Sequence, residues 1–314
     1  MQLVQKDPSR PFSRLWLARL AKYRVFGKSP MGTYLKLNKR LWFAFPETVR
    51  TTYPMRTYGD FLHSLTRMHA DRGQVQHTAF LRNRAALQLI RRLTDRVSDG
   101  GVIKVAVLGC STGAEAYSVA WAIRSFRPVL RLILNAVDIS EQAVEIAKCG
   151  SYSIIDPKIG GIDILSHLTQ TEFDQLFERI QDQAAVKSWI REGIKWSVGD
   201  ASHPEIINTL GPQDIVIANN FLCHMEPTIA ESTLRNIARL VRPRGYLFVS
   251  GIDLEIRTRL ARELDWEPVQ ELLEDIHHGD PRMGAYWPFN YSSLEPLNKK
   301  RADWKIRYAQ VFEL

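Results

Sequence analysis

Val102-Ile103-Lys104-Val105-Ala106-Val107-Leu108 runs directly into Gly109-Cys110-Ser111-Thr112-Gly113, and Ala114-Glu115-Ala116-Tyr117-Ser118 follows. The first seven residues are a β-branched run bounded by glycines, the pattern of a strand buried on both faces in a parallel sheet. Glycines let a loop backbone approach a ligand, and the helix expected from Ala114 to about Phe126, stopped before Pro128, offers free N–H groups at its start. The glycine spacing is G-x-x-x-G, not G-x-G-x-x-G, and no Gly-Lys-Ser/Thr follows, so phosphate binding is disfavoured.

The same grammar repeats downstream. Residues 130–137 read as a second strand ending at Asp138, and residues 140–149 as a helix closed by Gly150. Thr169 with Glu172 forms a capping-box pattern that opens a helix to about Ile180. Residues 194–198 and 214–219 read as strands, and Pro227 suits the first turn of a helix through Val241. Pro243-Arg244-Gly245 turns into a strand at 246–250, and residues 305–314 suggest a last, antiparallel strand. Repeated βα units imply an α/β fold with a Rossmann-like, mostly parallel sheet covered by helices. Ligands of such sheets sit at the carboxyl ends of strands. The loops after Leu108, Val137 and Asn219 are therefore the candidates. Asp138 at a strand tip can accept both ribose hydroxyls of a nucleoside, or share capping of the next helix with Ser140. A glycine loop facing such an acid fits NAD or S-adenosylmethionine.

A resemblance separates those two. Gly109-Cys110-Ser111-Thr112-Gly113-Ala114-Glu115-Ala116-Tyr117-Ser118 resembles the GCSTGEEPYS motif of the CheR-type methyltransferases, chemotaxis receptor enzymes that methylate glutamate side chains with S-adenosylmethionine. Four more segments are similar in the same order. Thr78-Ala79-Phe80-Leu81-Arg82 resembles T-x-F-F-R, and Ala136-Val137-Asp138-Ile139-Ser140, with Ala147 and Gly150-Ser151-Tyr152, resembles ATDIS…A..G.Y. Residues 214–226 stand in the place of DxIFCRNVLIYFD, and 240–247 in that of LxPGGxL. The similarity spans about residues 75–252 and implies a class I methyltransferase sheet. It implies that S-adenosylmethionine binds and leaves as S-adenosylhomocysteine. Gln76, Thr78, Arg82, Gly109, Gly113, Glu115, Asp138, Asp200, Ala201, Asn219 and Asn220 become cofactor-binding candidates. Within that set Glu115 falls at the methionine end, Asp138 at the ribose and Asp200-Ala201 near the adenine. Arg82 suits the amino-acid carboxylate. Arg82 and His224 are the catalytic candidates.

The departures bear on the acceptor. Asn219 stands where the family has an arginine, and His224 where it has a tyrosine near the transferred methyl. The receptor-docking subdomain, expected within about 152–195, reads as a compact helical insert at 152–193. An extra segment at 266–304 carries His277-His278-Gly279-Asp280 and an aromatic run from Tyr286 to Tyr291, which either walls a pocket or is packed cover. Three readings stay open. One is methyl transfer to a carboxylate, of a protein glutamate or a related acid. A second is a diverged small-molecule O- or N-methyltransferase with residues 266–304 as lid and His224 as base. A third is a non-catalytic cofactor-binding scaffold.

Charge and composition bound the rest. The 314 residues are 45% hydrophobic and 24% charged, ordinary for a globular protein. The net charge of +8 comes from the N-terminus: residues 1–50 hold eleven Lys and Arg against Asp7 and Glu47. Such a patch suits an acidic protein or an anionic membrane surface. A nucleic-acid partner is disfavoured because the Asn/Asp-Pro-Pro-aromatic motif of amino-methylating enzymes is absent. Residues 1–98 read as a basic helical region, with amphipathic helices at 12–26 and 80–97, and 99–314 as the methyltransferase domain. Cys110, Cys149 and Cys223 form neither a disulfide framework nor a zinc pattern, and His277-His278, on a strand, would point to opposite faces; no metal is expected. The N-terminus shows no secretory pattern, so the expected location is cytoplasmic.

Overall fold

The structure, a computed structural model, describes residues 29–70, 76–280, 287–291 and 294–314. The helix expected at 12–26 and most of the basic stretch lie outside the described residues. The chain divides into two compact units, Met1–Asp71 with Ala285–Tyr291, and Arg72–Gly284 with Ser292–Leu314.

In the larger unit the strands are β1 (Val102–Leu108), β2 (Arg131–Asp138), β3 (Ser151–Ser153), β4 (Lys158–Ile159), β5 (Ile162–Asp163) and β6 (Phe177–Ile180). They continue with β7 (Gln183–Val186), β8 (Ile194–Val198), β9 (Gln213–Asn219), β10 (Val241–Ser250), β11 (Glu267–Pro268) and β12 (Val311–Glu313). Seven form one sheet in the order β11-β12-β10-β9-β1-β2-β8. β1 lies parallel between β2 and β9, with Val105 opposite Leu134 on one side and Ile215 on the other. β12 runs antiparallel to β10, pairing Val311–Glu313 with Phe248, Leu247 and Tyr246. The chain adds β2 and β8 to one side of β1 and then β9 and β10 to the other. That reversal leaves a crevice at the carboxyl ends beside β1.

Period-2 alternation gives the sheet its two covers. Val105, Val107, Ile215 and Ile217 join a core with Leu87 and Ile90 of the helix Arg84–Thr94 and with Val119 and Ile123 of the helix Ala114–Phe126. Ala106, Leu108, Val216 and Ala218 face the opposite core, closed by Leu234 of the helix Pro227–Ala238 and Leu260 of the helix Leu254–Glu263.

Several expectations are corrected. The capping box at Thr169 and Glu172 forms, but its helix is Gln170–Leu176, because Phe177 starts β6 instead. Phe177, Ala184 and Val186 are buried, and β6 turns through Gln181, at φ 54°, into β7. With β3 they make a three-stranded antiparallel sheet, so the insert at 152–193 is mixed rather than helical. Residues 305–314 are not one strand: the helix Trp304–Tyr308 precedes the short β12. His277 and His278 lie on the helix Leu273–His278, not on a strand. The helix expected over 80–97 is Arg84–Thr94, started by the Asn83 side chain, which accepts from Ala86 N at 3.1 Å. This helix belongs to the sheet-bearing unit.

The smaller unit packs the helices Pro30–Ala44 and Tyr53–His69 around Leu35, Trp42, Leu62 and Leu65. Trp287 completes that core, its ring centroid 5.4 Å from that of Trp42 in an edge-on contact. A Cβ at Gly59 would fall 2.3 Å from the Trp287 ring, so only glycine lets the indole sit there. The described part of the aromatic run 286–291 is therefore packed cover.

Candidate active site

A cavity of about 430 Å³ lies across the carboxyl ends of the larger unit's sheet. Its lining runs from Asp200 and Ala201, after β8, past Asp138, Gly109 and Asn219 to Ser250 and Gln310.

At the tips of β1 and β2 the glycine loop is wound left-handed at three positions, with φ of 66° at Gly109, 49° at Ser111 and 93° at Gly113. Only Ser111 has a side chain there. Its backbone N–H donates to Asp138 Oδ2 at 2.7 Å, while Ser140 N donates to Asp138 Oδ1 at 2.9 Å. Ser140 caps the next helix itself, accepting from Ala143 N at 3.3 Å, and Gln76 Nε2 donates to the same hydroxyl at 3.1 Å. Asp138 is thus not the helix cap; it ties the two loops together at the cavity wall. A Cβ at Gly109 would lie 2.7 Å from the Phe221 ring. Gly113, by contrast, is not part of the lining: its close neighbours are Ala147, Trp196 and Tyr117, so it serves helix packing. The Ser111 hydroxyl is buried without a hydrogen-bond partner.

At the tips of β9 and β10, Asn219 Nδ2 donates to Glu115 Oε1 at 2.8 Å and its Oδ1 accepts from Ser250 Oγ at 2.9 Å. Burial raises the Glu115 carboxyl above its ordinary value, against the Asn219 hydrogen bond and the Arg82 charge. Asn219 thus orients Glu115 without adding a charge. Asn220 follows at φ 60°. The turn before the helix Arg84–Thr94 brings in Thr78 and Arg82, pinned where Phe80 N meets Ile164 O at 2.9 Å and Leu81 N meets Ser118 Oγ at 3.0 Å. Arg82 Nε is bound by Asp280, and both line the cavity. His224 ends a 3-10 turn, Leu222–His224, and faces the same space, and Asp200 Oδ1 accepts from Ser202 N at 2.8 Å.

Sequence reasoning had not placed Asp280, Ser111, Arg257 or His277 in this site. Asp280 meets Arg82 across 198 residues, and no local pattern announces that pairing. Arg257 did leave a signal: Leu254, Arg257, Thr258 and Ala261 share one helical stripe, and a charge within an apolar stripe marks a buried ion. Burial lowers Arg257 to about 9, with Arg307 acting in the same direction and Glu295 against it.

His277 is buried, and its Nε2–H donates to Glu295 O at 2.8 Å. Burial pushes it down to about 4, so it is neutral near pH 7. Its folded value lies below the unfolded one. The stability it contributes is complete above about pH 6.5 and is lost as pH falls toward 4, about 3 kcal/mol in all. Urea unfolding near pH 7.5 and near pH 4.5 should show wild type losing about that much more than His277→Gln; equal losses would contradict the assignment. Among the described residues no cluster of His, Cys, Asp and Glu could hold a metal ion, and no helix is long and apolar enough to cross a membrane.

A parallel sheet reversing beside β1, with an antiparallel β12 near its edge and a nucleoside-sized cavity at the switch, is the architecture of Rossmann-like methyltransferases. The profile of the family described as CheR methyltransferase, SAM binding domain, matches residues 76–254, more than half of the chain, and the chain belongs to that family. Residues 76–254 are thus an S-adenosylmethionine-binding domain of the CheR methyltransferase type. Similar proteins include a probable biofilm formation methyltransferase, WspC, of Pseudomonas aeruginosa, 22% identical over 58% of this chain and 42% of that one. The WspC of Pseudomonas putida is 23% identical over 51% of this chain and 36% of its own length. The matched stretches thus span less than half of these relatives. Among solved structures, the N-methyltransferase NodS of Bradyrhizobium japonicum, in complex with S-adenosylhomocysteine, is 15% identical with a TM-score of 0.32, covering 55% of this chain and 64% of that one. The citrinin polyketide synthase CMeT domain is 14% identical with a TM-score of 0.37, over 73% and 50%.

Proposed function

We propose that this chain transfers the methyl group of S-adenosylmethionine to a carboxylate, leaving a methyl ester. One observation carries the reading: among the described residues every carboxylate lining the cavity already accepts a hydrogen bond or an ion pair from the protein, which leaves only the histidines as candidate bases. Asp138 accepts two backbone N–H groups, Asp200 one, Glu115 the Asn219 amide and Asp280 the Arg82 guanidinium. A hydroxyl or amine acceptor needs a base, whereas a carboxylate arrives ionised near pH 7 and needs none.

The residues present fit the donor. Bound, it supplies a methyl group on a positively charged sulfur. Each Asp138 oxygen accepts only one backbone N–H and keeps capacity for a ribose hydroxyl. The partnerless Ser111 hydroxyl lies beside it. Glu115, set by Asn219, offers a carboxylate to the amino-acid ammonium. Arg82 engages Asp280 through Nε, which leaves its terminal nitrogens for the amino-acid carboxylate. Asp200 and Ala201 border the adenine end, with Gln76, Thr78 and Asn220 completing the walls. Catalysis is then positioning of the acceptor oxygen in line with the methyl and exclusion of water.

A second reading, an O- or N-methyltransferase, is favoured by His224, which faces the cavity where a base would stand. Labelled S-adenosylmethionine separates the two. The carboxylate reading predicts product label released as methanol by mild alkali, and a pH–rate profile of unchanged shape in His224→Ala. Alkali-stable label together with a flattened profile would favour the second.

A further inference from the structure

On its β10 side the cavity extends beyond the groups assigned to the donor. Three strand steps, β2 to β1 to β9 to β10, separate Asp138 from Ser250, about 14 Å at ordinary strand spacing. The walls beyond are apolar: Leu87, Ile90, Phe248, Ile276 and Leu294. Among them stands Arg257, which lines the cavity and is 2% exposed.

Arg257 Nη1 donates to Val249 O at 2.9 Å and Nη2 to Arg307 O at 3.0 Å, while its buried Nε has no partner. Among the described residues no carboxylate lies within ion-pair distance of it. The nearby acids serve Arg307 instead, Glu295 at 2.7 Å and Glu255 at 3.4 Å. A guanidinium taken out of water with only carbonyls for hydrogen-bond partners, and with the nearby Glu295 already paired to Arg307, lacks the direct counter-ion that buried ions require. Its position on a cavity wall lets a ligand supply that charge. Planar guanidinium and carboxylate match in shape as well as sign.

We propose that Arg257 anchors the methyl acceptor, and that this acceptor is a small organic acid whose apolar body fills the β10-side compartment. The proposal rests on the carboxylate reading above and names its substrate class. An acceptor oxygen forms the new C–O bond as the methyl–sulfur bond breaks, the electron pair stays on sulfur, and no proton is released. The ester is neutral. Pairing with Arg257 therefore ends in the step that makes the product, which favours its departure.

The test uses the full chain saturated with S-adenosylhomocysteine, titrated calorimetrically with phenylacetate and with phenylacetamide, its uncharged counterpart. Wild type should bind the acid in preference to the amide. Arg257→Gln should weaken the acid by roughly 10- to 100-fold, the worth of hydrogen bonds to a charged group, and leave the amide unaffected. Retained affinity for S-adenosylhomocysteine reports that the variant is folded. Because Arg257 also holds two carbonyls, Arg257→Lys serves as a charge-preserving companion and should keep the preference for the acid. Equal binding of acid and amide by wild type, or acid binding untouched in Arg257→Gln, would overturn the anchor. Turnover of phenylacetate with labelled donor keeps the two ideas apart. Alkali-labile product with KM unchanged in Arg257→Gln removes the anchor and keeps the carboxylate reading. Arg257-dependent binding of phenylacetate with no alkali-labile label transferred to it removes the carboxylate reading and keeps the anion site.

Discussion

Replacing Asp138 with alanine is expected to weaken S-adenosylhomocysteine binding by roughly 100-fold, two factors of ten at about 1.4 kcal/mol each. On the proposed binding mode two ribose hydroxyls donate to the Asp138 carboxylate, and hydrogen bonds to such groups are worth about 1.5–3 kcal/mol each. A second loss adds to it. Asp138 Oδ2 holds the N–H of Ser111, a non-glycine residue at φ 49°, and without that bond the loop is free to leave its left-handed conformation. The change sits at a strand tip, outside both cores, so thermal unfolding should stay cooperative. Calorimetric titration checks the effect, and an affinity within about threefold of wild type, under 1 kcal/mol, would contradict the ribose assignment.

The largest effect on stability is expected at Gly251, which follows β10 at φ 63°. A Cβ there would lie 2.6 Å from Asn220 Cα and 3.0 Å from Asn220 N, backbone atoms that no side-chain rotation relieves. Asn220 N is also bonded to Ser250 O at 3.1 Å, so the two strand tips cannot part without breaking their ladder. Gly251→Ala carries a left-handed penalty of about 1–2 kcal/mol plus the clash, about 3 kcal/mol together. The midpoint of thermal unfolding should fall by about 6–12 °C. Donor affinity should fall as well, because Asn219 and Asn220 are displaced. Scanning calorimetry reads the first and titration the second; an unchanged midpoint would show that the tips tolerate a methyl group.

Local signals announced what local physics controls. β1, the helix Ala114–Phe126 and β8 have the expected bounds, because a β-branched run or an amphipathic turn ended by Gly or Pro leaves little choice. Gly150 caps the helix Glu141–Cys149 at φ 61°, as its position implied. Thr169 marked where a helix starts, yet nothing nearby marked its end, since Phe177 leaves the helix to pair with Val186, nine residues on. Strands as short as β6 and β7 carry too few alternations for a period to show. Of the site, the residues on the strand-tip loops were legible, because loop position follows from strand order. The Arg82–Asp280 pair and Arg257 were not, since both depend on where the C-terminal segment returns to the sheet. Gly113 was legible as a glycine, but sequence does not separate packing against Ala147 from ligand approach, since both make the same demand.

The most direct test of the account is a crystal structure of the chain bound to S-adenosylhomocysteine. Both ribose hydroxyls should lie within hydrogen-bond distance of the Asp138 carboxylate, with the amino-acid tail at Glu115 and Arg82 and the sulfur directed toward the β10 side. A nucleoside bound elsewhere on the sheet, with Asp138 left only to its backbone partners, would contradict it.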